Sequence, residues 1–237
     1  MKHLRCLTDK QLGGWSLLLG MVAVGVGYAL SPGRGVVDTV PSTSLSDLTL
    51  AMARNATLSY TVPVVLICGA LLMLHGLLTL RRYAGPVARL GLLGMVIAAT
   101  LQMVMRGLDY MIVGMGLAAL ESEAAKSQEW LDSALAMQRM VWGFHFTSGV
   151  SGSVGTAIFA LGLAARPEPI RLPKVLHPIV AVLSVASLVV FIAAWHSNAL
   201  ELAFAPVFAL MSIAGLVYMG LLGWGLARST DDEASQP

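Results

Sequence analysis

The sequence predicts an all-α polytopic membrane protein, a bundle of six transmembrane helices with both termini in the cytoplasm. Three observations predict it. The chain of 237 residues is 57% hydrophobic and only 12% charged. A soluble domain carries about 25% charged residues, so this chain lacks the polar surface to meet water. Its apolar residues gather into six runs near the ~20 residues that a ~30 Å hydrocarbon core requires. Lysine and arginine are shared unevenly between the two sets of connections, as the positive-inside rule expects. A transmembrane barrel would show segments of alternating polarity instead.

The runs cover residues 13–30, 61–80, 90–117, 140–164, 175–195 and 202–227, and 228–237 forms a short acidic tail. Residues 1–237 read as a single transmembrane domain. Span one follows a basic start and ends at "SPGRG"; its apolar run exceeds the roughly 7–15 residues of a signal-peptide core, which favours a retained helix. Span two is preceded by "SLSDLTLAMARNATLSYTVP", a helix start with Ser46 as candidate N-cap and Pro63 as candidate kink. Span three stays apolar to Leu120. Spans two and three are therefore expected to extend beyond the outer surface as a packed antiparallel pair. Span four places Ser148, Gly152, Thr156 and Ala160 at four-residue intervals, and small residues so spaced let helices approach closely. Spans five and six are almost wholly apolar.

One set of connections carries Lys2, Arg5, Lys10, Arg81, Arg82, Arg89, Arg166, Arg171, Lys174 and Arg228; the other carries only Arg34, Arg54 and Lys126. Ten against three places both termini inside, with an even number of spans. The net charge of +2 is too small to suggest nucleic acid as a partner. Cys6 and Cys68 lack metal-ligand spacing, and one near the N-terminus and one inside a span do not suggest a disulfide.

Inside "LQMVMRGLDYMIVGMG" stand an arginine and an aspartate, Arg106 and Asp109. If Arg89 marks the inner interface, a rise of 1.5 Å per residue puts Arg106 about 25 Å and Asp109 about 30 Å above it. Both then lie near the outer edge of the hydrocarbon, where a long side chain can snorkel. Other polar residues gather at the same level: Tyr110 in span three; Arg139, Trp142 and His145 in span four; His196 and Glu201 around the turn between spans five and six. Ionisable residues inside a membrane segment are functional candidates by default. Together these eight outline an outward-facing pocket. Arg106 and Arg139 would supply charge, and His145 and Tyr110 directional hydrogen bonds. The competing account is a local Arg106–Asp109 ion pair among interfacial anchors, which leaves His145 unexplained.

The histidines permit a second reading. His145 and His196 near the outer face, with His75 and His177 near the inner face, would suit two b-type haems in an electron-transfer subunit. Their depths within each pair differ by about 5–9 Å on straight helices, and the usual spacing of two histidines on one helix is missing, since His177 and His196 share span five but lie 19 residues apart. No GxSxG, HExxH or Walker-type loop occurs. The thirteen methionines are more economically gap-fillers of apolar packing than copper ligands.

The short basic start, a first span ending near "SPG" and a long connection carrying "ARNATL" before span two resemble a loosely defined group of bacterial six-span inner-membrane proteins of unknown function. That resemblance implies six spans and an inner-membrane location, and no catalytic residue. The expectation is therefore a non-catalytic integral membrane protein binding a small amphiphilic or anionic ligand, such as a lipid. The alternatives are the haem subunit and a structural subunit that packs on other membrane subunits or on further copies of this chain.

Overall fold

The computed structural model describes residues 8–41, 44–165, 172–196 and 198–228, with side chains in the last segment described from Leu210 onward. Among the described residues seven helices are formed: α1 (Asp9–Leu30), α2 (Leu45–Arg54), α3 (Ala56–Tyr83), α4 (Pro86–Glu121), α5 (Ala124–Ala164), α6 (Leu176–Trp195) and α7 (Asn198–Arg228). There is no strand among the described residues. All but α2 are long and apolar enough to cross a membrane. The protein is an all-α integral membrane protein with six candidate spans.

α4 and α5 are the longest helices among the described residues. α4 has 36 residues and α5 has 41; at 1.5 Å per residue these are about 54 and 61 Å long, against a core of ~30 Å. Only Ser122 and Glu123 separate them. The extension of α4 was expected. That of α5, from Ala124, is new, because residues 124–139 are too polar to register as a span. They are nonetheless good helix formers (alanine, glutamate, glutamine, leucine). Ala134, Gln138 and Val141 are buried, a helical 4–3 spacing that turns one face inward.

The segment before span two also differs from expectation. It forms a separate helix, α2, and its N-cap is Ser44 rather than Ser46. The Ser44 hydroxyl accepts from the Asp47 amide at 3.4 Å and bonds the Asp47 carboxylate, a capping pair of cap and third helical residue. Ser46 falls inside the first turn. The chain breaks at Asn55, whose backbone N–H caps α2 on the Ala51 carbonyl. α3 then runs through Pro63.

The contacts divide the chain into two units. The first comprises Met1–Met21, Leu71–Ala98 and Gly149–Pro237. Its core includes Leu17, Leu77, Leu80, Phe159, Tyr218 and Leu222. Backbones meet closely there: a Cβ on Gly14 would lie 2.4 Å from the Ala227 nitrogen, and one on Gly91 2.2 Å from the Phe159 nitrogen. The second comprises Val22–Ala70 and Ala99–Ser148, around Leu48, Met52, Met105, Ile112, Val113 and Val141. α2 packs on the α4 extension, where a Cβ on Gly116 would meet that of Ala53 at 2.9 Å.

Candidate functional site

The second unit buries a charge cluster. Arg106 and Asp109 occupy one face of α4 three residues apart, and Arg106 Nη1 donates to Asp109 Oδ2 at 2.8 Å. The expected local ion pair is therefore present, with both side chains about 95% buried or more. A second guanidinium shares the same carboxylate oxygen: Arg34 Nη1 lies 3.6 Å from Asp109 Oδ2. The three side chains together carry one net positive charge, two guanidiniums against one carboxylate.

Local structure explains how Arg34 arrives there. It stands in the connection after α1, beside Gly33, whose φ of +79° belongs to the left-handed region that glycine enters without strain. Gly33 N–H bonds the Val37 carbonyl at 2.9 Å and Gly35 N–H that of Ser31 at 2.7 Å, closing a compact loop. A side chain at Gly33 would meet Leu48 at 2.5 Å. Arg34 itself remains 26% exposed, so it is the accessible member of the cluster, while Arg106 is the fixed one.

Neutral groups complete the surroundings. Arg34 Nη2 donates to Gln138 Oε1 at 3.4 Å, and Gln138 is fully buried on the α5 extension. The Arg106 guanidinium lies 5.4 Å from the centre of the Tyr28 ring, a cation–π distance. The Tyr28 hydroxyl donates to Gln102 Oε1 at 2.5 Å, and Gln102 Nε2 to Ser148 Oγ at 3.1 Å. His145 lies within electrostatic reach of Arg34, Arg106 and Asp109.

Ser31, Pro32, Arg34, Met52, Ser59, Val62, Pro63, Arg106 and Asp109 line a cavity whose space for the centre of a water molecule is about 20 Å³. That volume admits one or two oxygen-sized atoms. A whole lipid headgroup does not fit inside it.

Of the eight predicted residues, the structure brings Arg106 and Asp109 together in the cavity lining, with His145 within electrostatic reach of both. Arg139 is exposed, and its neighbour Gln138 occupies the inward position instead; a step of one residue turns a helix by about 100°. Tyr110 is 53% exposed and packs at a tilt against Tyr60, ring centres 4.5 Å apart, outside the cavity lining. Trp142 is half-buried on α5. His196 is an exposed C-cap of α6 and belongs to the first unit. The Glu201 side chain lies outside the described residues.

Of the candidate haem ligands, His75 shares a hydrogen bond with Ser16 Oγ at 3.0 Å and His177 one with Tyr218 Oη at 2.9 Å. Both rings join one helix to another through Nδ1. Among the described residues, no three His, Cys, Asp or Glu side chains group as metal ligands would.

Arg34, Tyr28, Gln102 and Gln138 were not anticipated. Gln102 was within reach of the sequence, since Gln102, Arg106 and Asp109 follow 4–3 spacing on one helix face. Arg34 carries no such signal. Comparison with protein-family models, curated proteins and solved structures finds no match for this chain.

Proposed function

We propose that this is a non-catalytic membrane protein that holds a small anionic group at the Arg34–Arg106–Asp109 cluster. The anion is either free or the headgroup of an amphiphile such as a lipid. The carrying observation is the unequal charge count: two guanidiniums converge on one carboxylate oxygen at 2.8 and 3.6 Å. Charges removed from water are balanced by partners, and an incoming anion would balance the second guanidinium. Arg34, held loosely and partly exposed, is the group that would turn to meet it. The asymmetry of lysine and arginine in the connections supports an opening on the outer side of a bacterial inner membrane.

The cavity supports a ligand that inserts only its tip, the remainder lying at the exposed side of Arg34. Planar guanidiniums suit such a role because they bind oxyanions through two parallel hydrogen bonds.

The test compares Arg106→Lys with Arg106→Gln. The full-length protein in detergent is titrated with phosphatidylglycerol, phosphatidylcholine or inorganic phosphate and read by native mass spectrometry. Wild type should prefer phosphatidylglycerol or phosphate. Lysine should preserve thermal stability yet weaken binding roughly tenfold, because it keeps the charge and loses the planar fork. Glutamine should weaken it by roughly a hundredfold, as expected for a lost charge-assisted contact. Variants that bind like wild type would remove the proposal's main residue.

A further inference from the structure

The hydrogen-bond account of the cavity narrows the ligand. Two buried polar atoms of its lining residues have no hydrogen-bond partner among the described residues: Arg106 Nε and Asp109 Oδ1. Their requirements are opposite. Nε–H can only donate and the carboxylate oxygen can only accept, so an occupant serving both must accept and donate.

The cavity's other groups do not meet the need. The Ser31 hydroxyl donates to the Gly27 carbonyl at 2.9 Å, and the Ser59 hydroxyl to the Met52 carbonyl at 2.8 Å. Both hydrogens are already spent. Arg34 is engaged with Asp109 Oδ2 and Gln138.

Resting on the anion-binding reading above, we infer that the ligand is an anion carrying a hydroxyl, and that the hydroxyl oxygen enters the cavity between Arg106 Nε and Asp109 Oδ1. A hydroxyl is a single heavy atom, which suits about 20 Å³. A halide or a fully ionised oxyanion would satisfy Nε but be repelled by Asp109. An ammonium would satisfy Asp109 but be repelled by two guanidiniums. An O–H group does both, while its anionic part meets Arg34. The same chemistry occurs in a polyol lipid headgroup such as glycerol phosphate and in free hydrogen phosphate.

The experiment uses matched probes on the full-length protein in detergent. Phosphatidylglycerol is compared with phosphatidylmethanol, which has the same charge and no headgroup hydroxyl. Inorganic phosphate, which carries P–OH near neutral pH, is compared with sulfate, which carries none. The inference expects the hydroxylated member of a pair to bind at least roughly tenfold tighter, the usual scale when a buried polar group is left unpaired. The pair that shows the preference identifies the source, lipid or free anion.

Equal or reversed binding within both pairs overturns the inference but leaves the anion site standing, with water filling the cavity. Binding of none of the four overturns both. Asp109→Asn adds a control on the acceptor, because its amide can donate and should erase the preference. A folded Asp109→Asn protein that keeps the preference also overturns the inference. If that variant does not fold, the wild-type comparison decides alone.

Discussion

Asp109 holds the cluster together, because both arginines meet at its one carboxylate oxygen. Removing one member of a buried ion pair leaves an uncompensated charge and costs about 3–5 kcal/mol, whereas replacing the pair by apolar side chains of similar volume is often neutral. Asp109→Ala should therefore lower unfolding stability by about 3–5 kcal/mol in a denaturant titration. The double replacement Arg106→Met/Asp109→Leu should recover most of that loss, while still failing to bind an anion. A double variant as unstable as Asp109→Ala would show that the alanine's defect comes from packing rather than charge. The Arg106–Asp109 part of this cluster was legible, since i,i+3 neighbours on a helix must meet. The Arg34 part was not, because nothing in a loop's sequence states which distant helix it will touch.

At the scale of elements, α4 and α5 are held by glycine contacts in the first unit. A Cβ on Gly155 would lie 2.7 Å from both the Gly91 carbonyl oxygen and the Met95 nitrogen. Backbone atoms cannot yield without moving a helix. Gly155→Ala should accordingly destabilise the protein by about 1–3 kcal/mol, the usual range for overpacking. Gly143, on the same helix, has nothing within 4 Å of an added Cβ. Gly143→Ala should be neutral or gain up to about 1 kcal/mol from helix propensity. Thermal unfolding by circular dichroism separates the two, and equal effects would count against packing as the cause. On the small-residue row read from the sequence, Ser148 to Ala160 at strict fours, Ser148 and Ala160 are buried and a Cβ on Gly152 would meet that of Ala98 at 3.3 Å. Backbone lies closer still at Gly155 and Gly162. A helix turns every 3.6 residues, so a row of fours drifts off the contact and alternating steps of four and three stay on it.

For the whole molecule, the first unit joins helix ends that are far apart in sequence. Arg82 at the end of α3 pairs with Asp9 at the start of α1 at 2.7 Å. Lys10 sits over the Tyr83 ring at 5.3 Å, and Trp15 meets Trp224 of α7 edge-on at 5.9 Å. The start of α1 and the end of α7 therefore share one face of that unit, as an even number of crossings requires. Basic and aromatic side chains mix there, the composition of a membrane interface, and the charge count predicts a cytoplasmic orientation for this face. In a background without Cys6 and Cys68, a cysteine at Ser127 should react with a membrane-impermeant thiol reagent from outside, and one at Ser229 should not. The reverse pattern would invert the topology.

Hydropathy and helix spacing determined the helical class, the six candidate spans and the pairing of Arg106 with Asp109. Each of these is a local or one-dimensional property, set by the thickness of the bilayer or by one helical turn. The tertiary structure decided the rest. It turned Gln138 inward and Arg139 outward, set Tyr110 against Tyr60, and brought Arg34 from its glycine-bounded loop onto Asp109. These are outcomes of which helix faces meet, and the burial of apolar surface that selects those faces is non-directional. It leaves no mark on the sequence at the polar positions it happens to bring together.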